Sequence, residues 1–381
     1  MSLMNNKIMF IYGTRPEAIK LAPLIKELKQ SAILDVHIVS SDQHQEILKH
    51  VHDWFEFAPD THLNIMKHGA SISNIVEVAL GRLDTIIKDI APNLIIVHGD
   101  TATTLSGALA GYFNKVPVAH VEAGLRTNSK YLPWPEEGNR RFVGQIADFH
   151  FTATHKATEQ LMSEGVPGPQ IWETGNTVID ALYWTLAKIN DGEMLLRTSP
   201  QIFQKFNSQN KLITVTLHRR ENWGAPITRI CDALASLQSR YVDTEIVFVT
   251  HPNPVVKETV LSALKDVPRI HFLEPLEYDK FCLLMSKSHI ILSDSGGIQE
   301  EAPSLNIPVL LLRESTERPE AVDSGAVKLV GTDEIKILTE LERLLNDQIH
   351  YTKMSSAVNP FGDGTAAKKI AQIIQRNILQ C

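Results

Sequence analysis

Ile8-Met9-Phe10-Ile11-Tyr12-Gly13-Thr14-Arg15-Pro16-Glu17-Ala18-Ile19-Lys20 carries a short apolar run into a glycine turn and then into a segment opened by proline. A run of this length bounded by a turn reads as a buried strand rather than a buried helix. Proline suits the first helical position, where its missing N–H has no intrahelical partner to lose. The stretch is therefore one strand–turn–helix unit. Free amides at the helix start, with Arg15 and Lys20 beside them, form a phosphate site; the plainer reading of the same residues is an ordinary turn whose basic groups are solvated. The turn is not a Gly-x-Gly-x-x-Gly fingerprint and the chain holds no Walker-type loop, so NAD and ATP lose support.

Outward from this unit the same grammar repeats. Short apolar runs at Val36 to Ser40, Leu94 to His98, Val118 to Val121 and Phe149 to Thr152 read as strands, separated mostly by helical patterns at Pro16 to Gln30, Gln43 to His50, Ile72 to Ile90 and Thr104 to Phe113. A second series restarts at Leu212 to Leu217 and continues through Ile246 to Thr250, Ile270 to Leu273, Ile290 to Ser293, Val309 to Leu312 and Val327 to Leu329. Between the series, Gly175 to Asp191 reads as an apolar helix followed by a polar stretch to Asn210, the expected linker. The pattern predicts two doubly wound parallel α/β domains facing a central cleft, with ligand-binding residues at the carboxyl ends of the strands.

The chain is long enough for this: 381 residues, 43% hydrophobic and 21% charged, exceed the ~150 to 200 residues of a usual single domain. Thirty-seven basic against forty-four acidic residues leave a net charge of -7, which gives no footprint for nucleic acid or an anionic membrane surface. Cys231, Cys282 and Cys381 have neither a metal-type spacing nor an even count, so a disulfide framework is not expected and the cytoplasm is the default compartment. No apolar run approaches the ~20 residues of a membrane span, and Met1-Ser2-Leu3 reads as an expression remnant before Met4 rather than a signal peptide.

Chemistry-bearing residues gather where strands end. His98-Gly99-Asp100 and His120-Val121-Glu122-Ala123-Gly124 each set a carboxylate at the sheet rim, and Pro133-Trp134-Pro135-Glu136-Glu137 is a proline-braced loop holding a third. A single acid in such a place is usually a cap or a solvated group, but three together suit general acid–base work. His218-Arg219-Arg220-Glu221-Asn222 is a cationic cluster after the first strand of the second series, with His251-Pro252-Asn253-Pro254 ending the next. In Asp294-Ser295-Gly296-Gly297-Ile298-Gln299-Glu300-Glu301, two glycines let a diphosphate approach amides at a helix start, while Glu300 or Glu301 one turn later is placed for ribose hydroxyls. Arg318, before Pro319, reads either as a further cation at a helix start or as a surface salt bridge.

Together Gly13 to Glu17, His98 to Asp100, His120 to Arg126, Pro133 to Glu137, Gly175 to Thr177, His218 to Glu221, Asp294 to Pro303 and Thr316 to Glu320 resemble the bacterial non-hydrolysing UDP-N-acetylglucosamine 2-epimerases, in order from Ile8 to Gly364. The resemblance implies a GT-B fold of two Rossmann-like domains, residues 1–175 for the sugar and 176–364 for UDP, with a final helix, 365–381, packing back on the first domain. It implies reversible conversion of UDP-GlcNAc to UDP-ManNAc through elimination of UDP to 2-acetamidoglucal and re-addition, with no cofactor or metal, and a homodimer. Asp100, Glu122 and Glu136 match the catalytic carboxylates, with Lys20 and His218 as cationic companions. Arg15, His218, Ser295, Gly296 and Gly297 match diphosphate contacts, Glu301 the ribose acid, and Arg318 and Phe281 further nucleotide contacts. Leu276 departs from a glutamine found in some members. Gln43, Glu136, Arg219 and His251 match a regulatory site for a second UDP-GlcNAc, from which Glu46 and Gly69 depart. A hydrolysing relative releasing ManNAc and UDP, an epimerase of a UDP-diacetamido sugar, and a UDP-sugar sensor are the competing functions; the sensor has no need of Asp100, Glu122 and Glu136.

Overall fold

The computed structural model describes residues 6–42, 45–65, 71–127, 129–190, 209–251 and 253–378. Gln43, Gly69, the side chain of Glu46, most of the polar stretch before Asn210, Met1 to Met4 and Cys381 lie outside the described residues. The chain divides into two compact units, Met1–Ala181 with Phe361–Cys381, and Leu182–Pro360.

The first unit is built on β1 (Asn6–Tyr12), β2 (Leu34–Ser40), β3 (Thr61–His62), β4 (Leu94–His98), β5 (Val118–Ala123), β6 (Phe149–Thr152) and β7 (Ile171–Glu173). They form one parallel sheet in the order β3-β2-β1-β4-β5-β6-β7. Every residue of β4, Leu-Ile-Ile-Val-His, is buried, as expected of a central strand with helices on both faces. The order reverses between β1 and β4, so the turns leaving those two strands flank the crevice where open α/β sheets bind ligands.

Glu17 ties these turns together. As the third residue of helix Arg15–Lys29 it closes a capping box with Thr14, whose N–H donates to Oε2 at 2.7 Å. Its other oxygen accepts from Thr101 Oγ1 at 2.8 Å and Thr104 Oγ1 at 3.0 Å, just beyond β4. At the far end of the unit, helix Ala366–Ile378 packs on helix Arg15–Lys29. Its first amides, Ala366 and Ala367, donate to the Asp180 carboxylate at 3.2 and 2.9 Å.

In the second unit β8 (Lys211–Thr216), β9 (Thr244–Val249), β10 (Ile270–Leu273), β11 (Ile290–Ser293), β12 (Val309–Leu311) and β13 (Val327–Leu329) form a parallel sheet ordered β10-β9-β8-β11-β12-β13. Alternation along the strands feeds both faces. Ile213, Val215, Ile246 and Phe248 enter the main core, whereas Leu212, Val247 and Val249 face a smaller cluster with Leu273, Leu276, Phe281 and Leu284. Here the reversal lies between β8 and β11, the strands that deliver His218 and Ser295. Among the described residues no helix is long and apolar enough to cross a membrane.

Candidate active site

Glu122 sits inside β5 rather than beyond its end. The β5–β6 register skips it between Val121 and Ala123, and its φ of +63° lies in the left-handed region that side-chain-bearing residues rarely adopt. Such a bulge re-aims one side chain out of a buried strand, and the strain persists only where partners hold it. Lys20 forms an ion pair with its Oε2, the Asn176 amide donates to the same oxygen at 2.7 Å, and His98 Nε2 stands 3.8 Å away. The Lys20 and Glu122 side chains are 10% and 8% exposed, so the pair works in a site largely stripped of water. His98 is buried, neither ring nitrogen has a hydrogen-bond partner, and burial pushes its pKa down to about 4 despite the nearby Glu122 carboxylate. At neutral pH it is an uncharged imidazole.

Asp100 and Glu136 belong to a second group. Arg140 Nη2 donates to Asp100 Oδ2 at 2.5 Å and Asn139 donates to the Asp100 carbonyl at 2.8 Å, which docks helix Glu136–Ile146 on the turn after β4. Glu136 opens that helix, one turn before Arg140 and on the same face. Its Oε2 is buried and accepts no hydrogen bond. The neighbouring Glu137 is fully buried instead, taking Thr127 N at 3.0 Å and Arg141 Nε at 2.7 Å, so it braces the preceding loop. Arg15 is half-buried and, among the described residues, its side chain has no hydrogen-bond partner.

In the second unit Asp294, fully buried after β11, reaches across the reversal point to the segment after β8. It accepts from the His218 N–H at 3.0 Å, from the Arg219 N–H at 2.9 Å and from Asn222 Nδ2 at 2.9 Å, and pairs with His218 Nδ1 at 2.6 Å. Burial alone would raise its pKa; the His218 contact and these donors outweigh burial and hold it below the usual carboxylate range. His218 is thereby left with Nδ1 engaged and Nε2 available to a ligand. His251, at the end of β9, lies close enough for His218 to add to the lowering that burial imposes on its pKa.

Three arginines converge on Glu317. Arg219 Nη2 and Arg318 Nη1 approach its Oε1 at 3.1 and 2.8 Å, and Arg313 Nη1 its Oε2 at 2.7 Å. Against the opposing cost of burial, Arg318, Arg313 and Arg219 pull its pKa down to about 2. Arg318 also donates through Nε to the buried Glu300 at 2.5 Å. The guanidinium lies against the first residue of helix Gly296–Glu301, where a Cβ on Gly296 would stand 2.6 Å from Nη1. Ser295 precedes that helix with no side-chain cap bond, and Glu301, one turn on, accepts from the buried Tyr278 hydroxyl at 2.9 Å. Phe281 packs with Leu276 in the smaller apolar cluster.

In the first unit, carboxylates beside a buried lysine suit proton transfer; in the second, the arginines, the histidine and the glycine-linked amides suit diphosphate recognition. A family model described as UDP-N-acetylglucosamine 2-epimerase matches residues 26–375. The chain belongs to that family. The Bacillus subtilis UDP-N-acetylglucosamine 2-epimerase is 46% identical over 366 residues, covering 96% of this chain and 94% of that protein. A crystal structure of the Neisseria meningitidis UDP-GlcNAc 2-epimerase bound to UDP-GlcNAc superposes with a TM-score of 0.91 at 43% identity, covering 97% of this chain and all of that one. The S. aureus MnaA–UDP co-structure gives 0.87 at 41% identity, covering 99% of this chain and 98% of that one. The two Rossmann-like units are those of a GT-B epimerase.

Within this epimerase family member the structure brings Lys20 to Glu122, Arg140 to Asp100, and Arg318 to Gly296. Sequence reasoning passed over Asn176, Arg140, Asp294 and Glu317 as site residues. Each acts through another side chain, and only the fold brings them into contact. Asp294 had one readable sign, an acid between a buried strand and a glycine pair.

Proposed function

We propose that the protein interconverts UDP-GlcNAc and UDP-ManNAc by elimination of UDP to 2-acetamidoglucal followed by re-addition, the second unit holding UDP and the first moving the C2 proton. The observation that carries this reading is the strained Glu122 held by Lys20 and Asn176 next to a neutral His98. The C2 hydrogen is not acidic, since the acetamido nitrogen puts no carbonyl where it would stabilise a carbanion. Departure of the diphosphate must build positive character at C1 first, which makes leaving-group stabilisation the larger demand. Arg15, Lys20 and His218 supply cations for it, and Ser295, Gly296 and Gly297 supply a helix start the phosphates can approach. Glu301, braced by Tyr278, takes the ribose, and Arg318 and Phe281 complete the nucleotide contacts.

Inversion requires a proton off one face of C2 and a proton onto the other, and one carboxylate does not reach both. Glu122 and Glu136 are assigned these transfers. Asp100 is committed to Arg140, which suits it to orienting the helix that carries Glu136 rather than to taking a proton. Gln43, Glu136, Arg219 and His251 are retained as the candidate contacts for a second UDP-GlcNAc. Helices Ala102–Phe113 and Glu136–Ile146 pack together and carry the exposed aromatics Tyr112, Phe113 and Phe142, which supports a homodimer. Cys231 and Cys282 are free thiols, in keeping with the cytoplasm. The test is the product: NMR of UDP-GlcNAc incubated with the protein is expected to show UDP-ManNAc with the diphosphate still attached. Free ManNAc and UDP as the only products would assign the hydrolysing reaction instead.

A further inference from the structure

Asn176 occupies the cap position before helix Thr177–Ile189, and the Val178 N–H donates to its Oδ1 at 3.1 Å. A backbone N–H faces only an acceptor, so this contact fixes which end of the amide is oxygen. The other end, Nδ2, is a donor, and it lies 2.7 Å from Glu122 Oε2. The cap itself is anchored from the far end of the chain: the Asn176 N–H donates to the Phe361 carbonyl at 2.7 Å. Immediately before it, Gly175 has a φ of +87°, and a Cβ there would meet Phe361 O at 3.1 Å and Gly362 Cα at 3.2 Å. The two backbones cross so closely that a side chain at 175 would have to push the 361–362 backbone aside as well as adopt a strained positive φ. One turn along the same helix, Asp180 caps the C-terminal helix through Ala366 and Ala367. The 361–367 segment and the 175–180 segment therefore lock each other, and the Asn176 side chain reaches from this lock to Glu122.

We propose that Asn176 is a positioning residue that fixes the Glu122 carboxylate against C2, with the C-terminal segment as its support. Lys20 comes from the long helix after β1 and holds Glu122 by charge, which restrains distance more than direction. Asn176 adds a directed bond from a rigid cap to the same oxygen and so sets the orientation of the carboxylate. The bulge at Glu122 makes such a restraint necessary, because a left-handed residue relaxes when nothing holds its side chain. This inference rests on Glu122 being a proton-transferring group.

The test uses the full-length enzyme and the variants N176D, E122Q and N176D/E122Q. The introduced carboxylate of N176D still accepts from Val178 N and keeps the cap, but it presents an acceptor to Glu122 where a donor stood. We expect kcat to fall about 100-fold, the size of a misplaced catalytic group, with KM for UDP-GlcNAc and the calorimetric UDP affinity unchanged. N176D is also expected to lower Tm in the Glu122 background and to lower it much less in E122Q, because the Gln amide can donate to the new carboxylate. Wild-type kcat in N176D with an inactive E122Q overturns the positioning role and leaves the proposed function standing. Wild-type kcat in E122Q overturns the reading of Glu122 itself. An equal loss of kcat and UDP affinity in N176D would mark Asn176 as a general support of the fold and would also overturn the inference.

Discussion

Arg318 illustrates how little a single residue says until its neighbours are known. Its place before Pro319 permits either a ligand contact or a surface salt bridge, and the structure makes it a largely buried cation bridged to both Glu300 and Glu317, its guanidinium against Gly296. That contact gives Gly296 a packing duty besides the phosphate approach proposed for it. In Gly296→Ala the new methyl group would stand 2.6 Å from Nη1, and the two carboxylates prevent the arginine from simply swinging away. The fold is expected to survive with UDP affinity reduced about tenfold or more, the scale of one lost charge-assisted hydrogen bond. Titration calorimetry with UDP checks this; an unchanged affinity would show that Arg318 and Gly296 do not touch the nucleotide. Glu122 was legible as an acid at a sheet rim, but its bulge was not. No composition marks a non-glycine residue with positive φ, because the conformation is imposed by partners distant in sequence.

At the scale of elements, apolar runs reported the buried central strands well. Ile290 to Ser293 is β11 residue for residue, and Leu94 to His98 is β4. The strands missed were the short, outlying ones, β3 and β7, of two and three residues, where there is too little length for alternation to show. Helix Glu136–Ile146 escaped notice because its first turn is acidic and its hydrophobic face is broken by Asn139 and Arg140, residues committed to Asp100. The C-terminal helix depends on a cap from another element: Asp180 accepts its first two free amides and, with burial the main cause, has its pKa raised to about 6. Asp180→Ala removes that acceptor and should cost about 1 to 2 kcal/mol. Hydrogen exchange should quicken across Ala366–Ile378 more than in the central strands. Unaltered exchange in that helix would show that packing on helix Arg15–Lys29 suffices without the cap.

For the whole molecule, stability carries the imprint of buried, uncharged histidines. Burial lowers His98 to about 4, His120 to about 3 and His150 to about 4, all from an ordinary value of 6.5. Below pH 6.5 the unfolded chain binds protons on these rings that the folded chain does not, so their contribution is present above 6.5 and lost as pH falls toward 4. Asp180 and Glu17, whose carboxyls burial raises, act in the opposite sense and gain as pH falls, Asp180 from about 6 toward its ordinary 3.8, but they are two groups against four histidines of the first unit that burial lowers, His52 included. Asp294 and Glu317, held low by their partners, add a further loss only in more acid solution. Calorimetry should therefore find the unfolding temperature of the first unit dropping between pH 6.5 and 4; a flat or rising profile would contradict the buried-neutral assignment. The proposed reaction turns on the fate of one hydrogen. Turnover of UDP-GlcNAc in deuterated water, followed by NMR from the earliest time points, is predicted to give UDP-ManNAc carrying deuterium at C2, with some 2-acetamidoglucal and UDP escaping on long incubation. UDP-ManNAc that retains its original C2 hydrogen would contradict proton removal by one carboxylate and return by another.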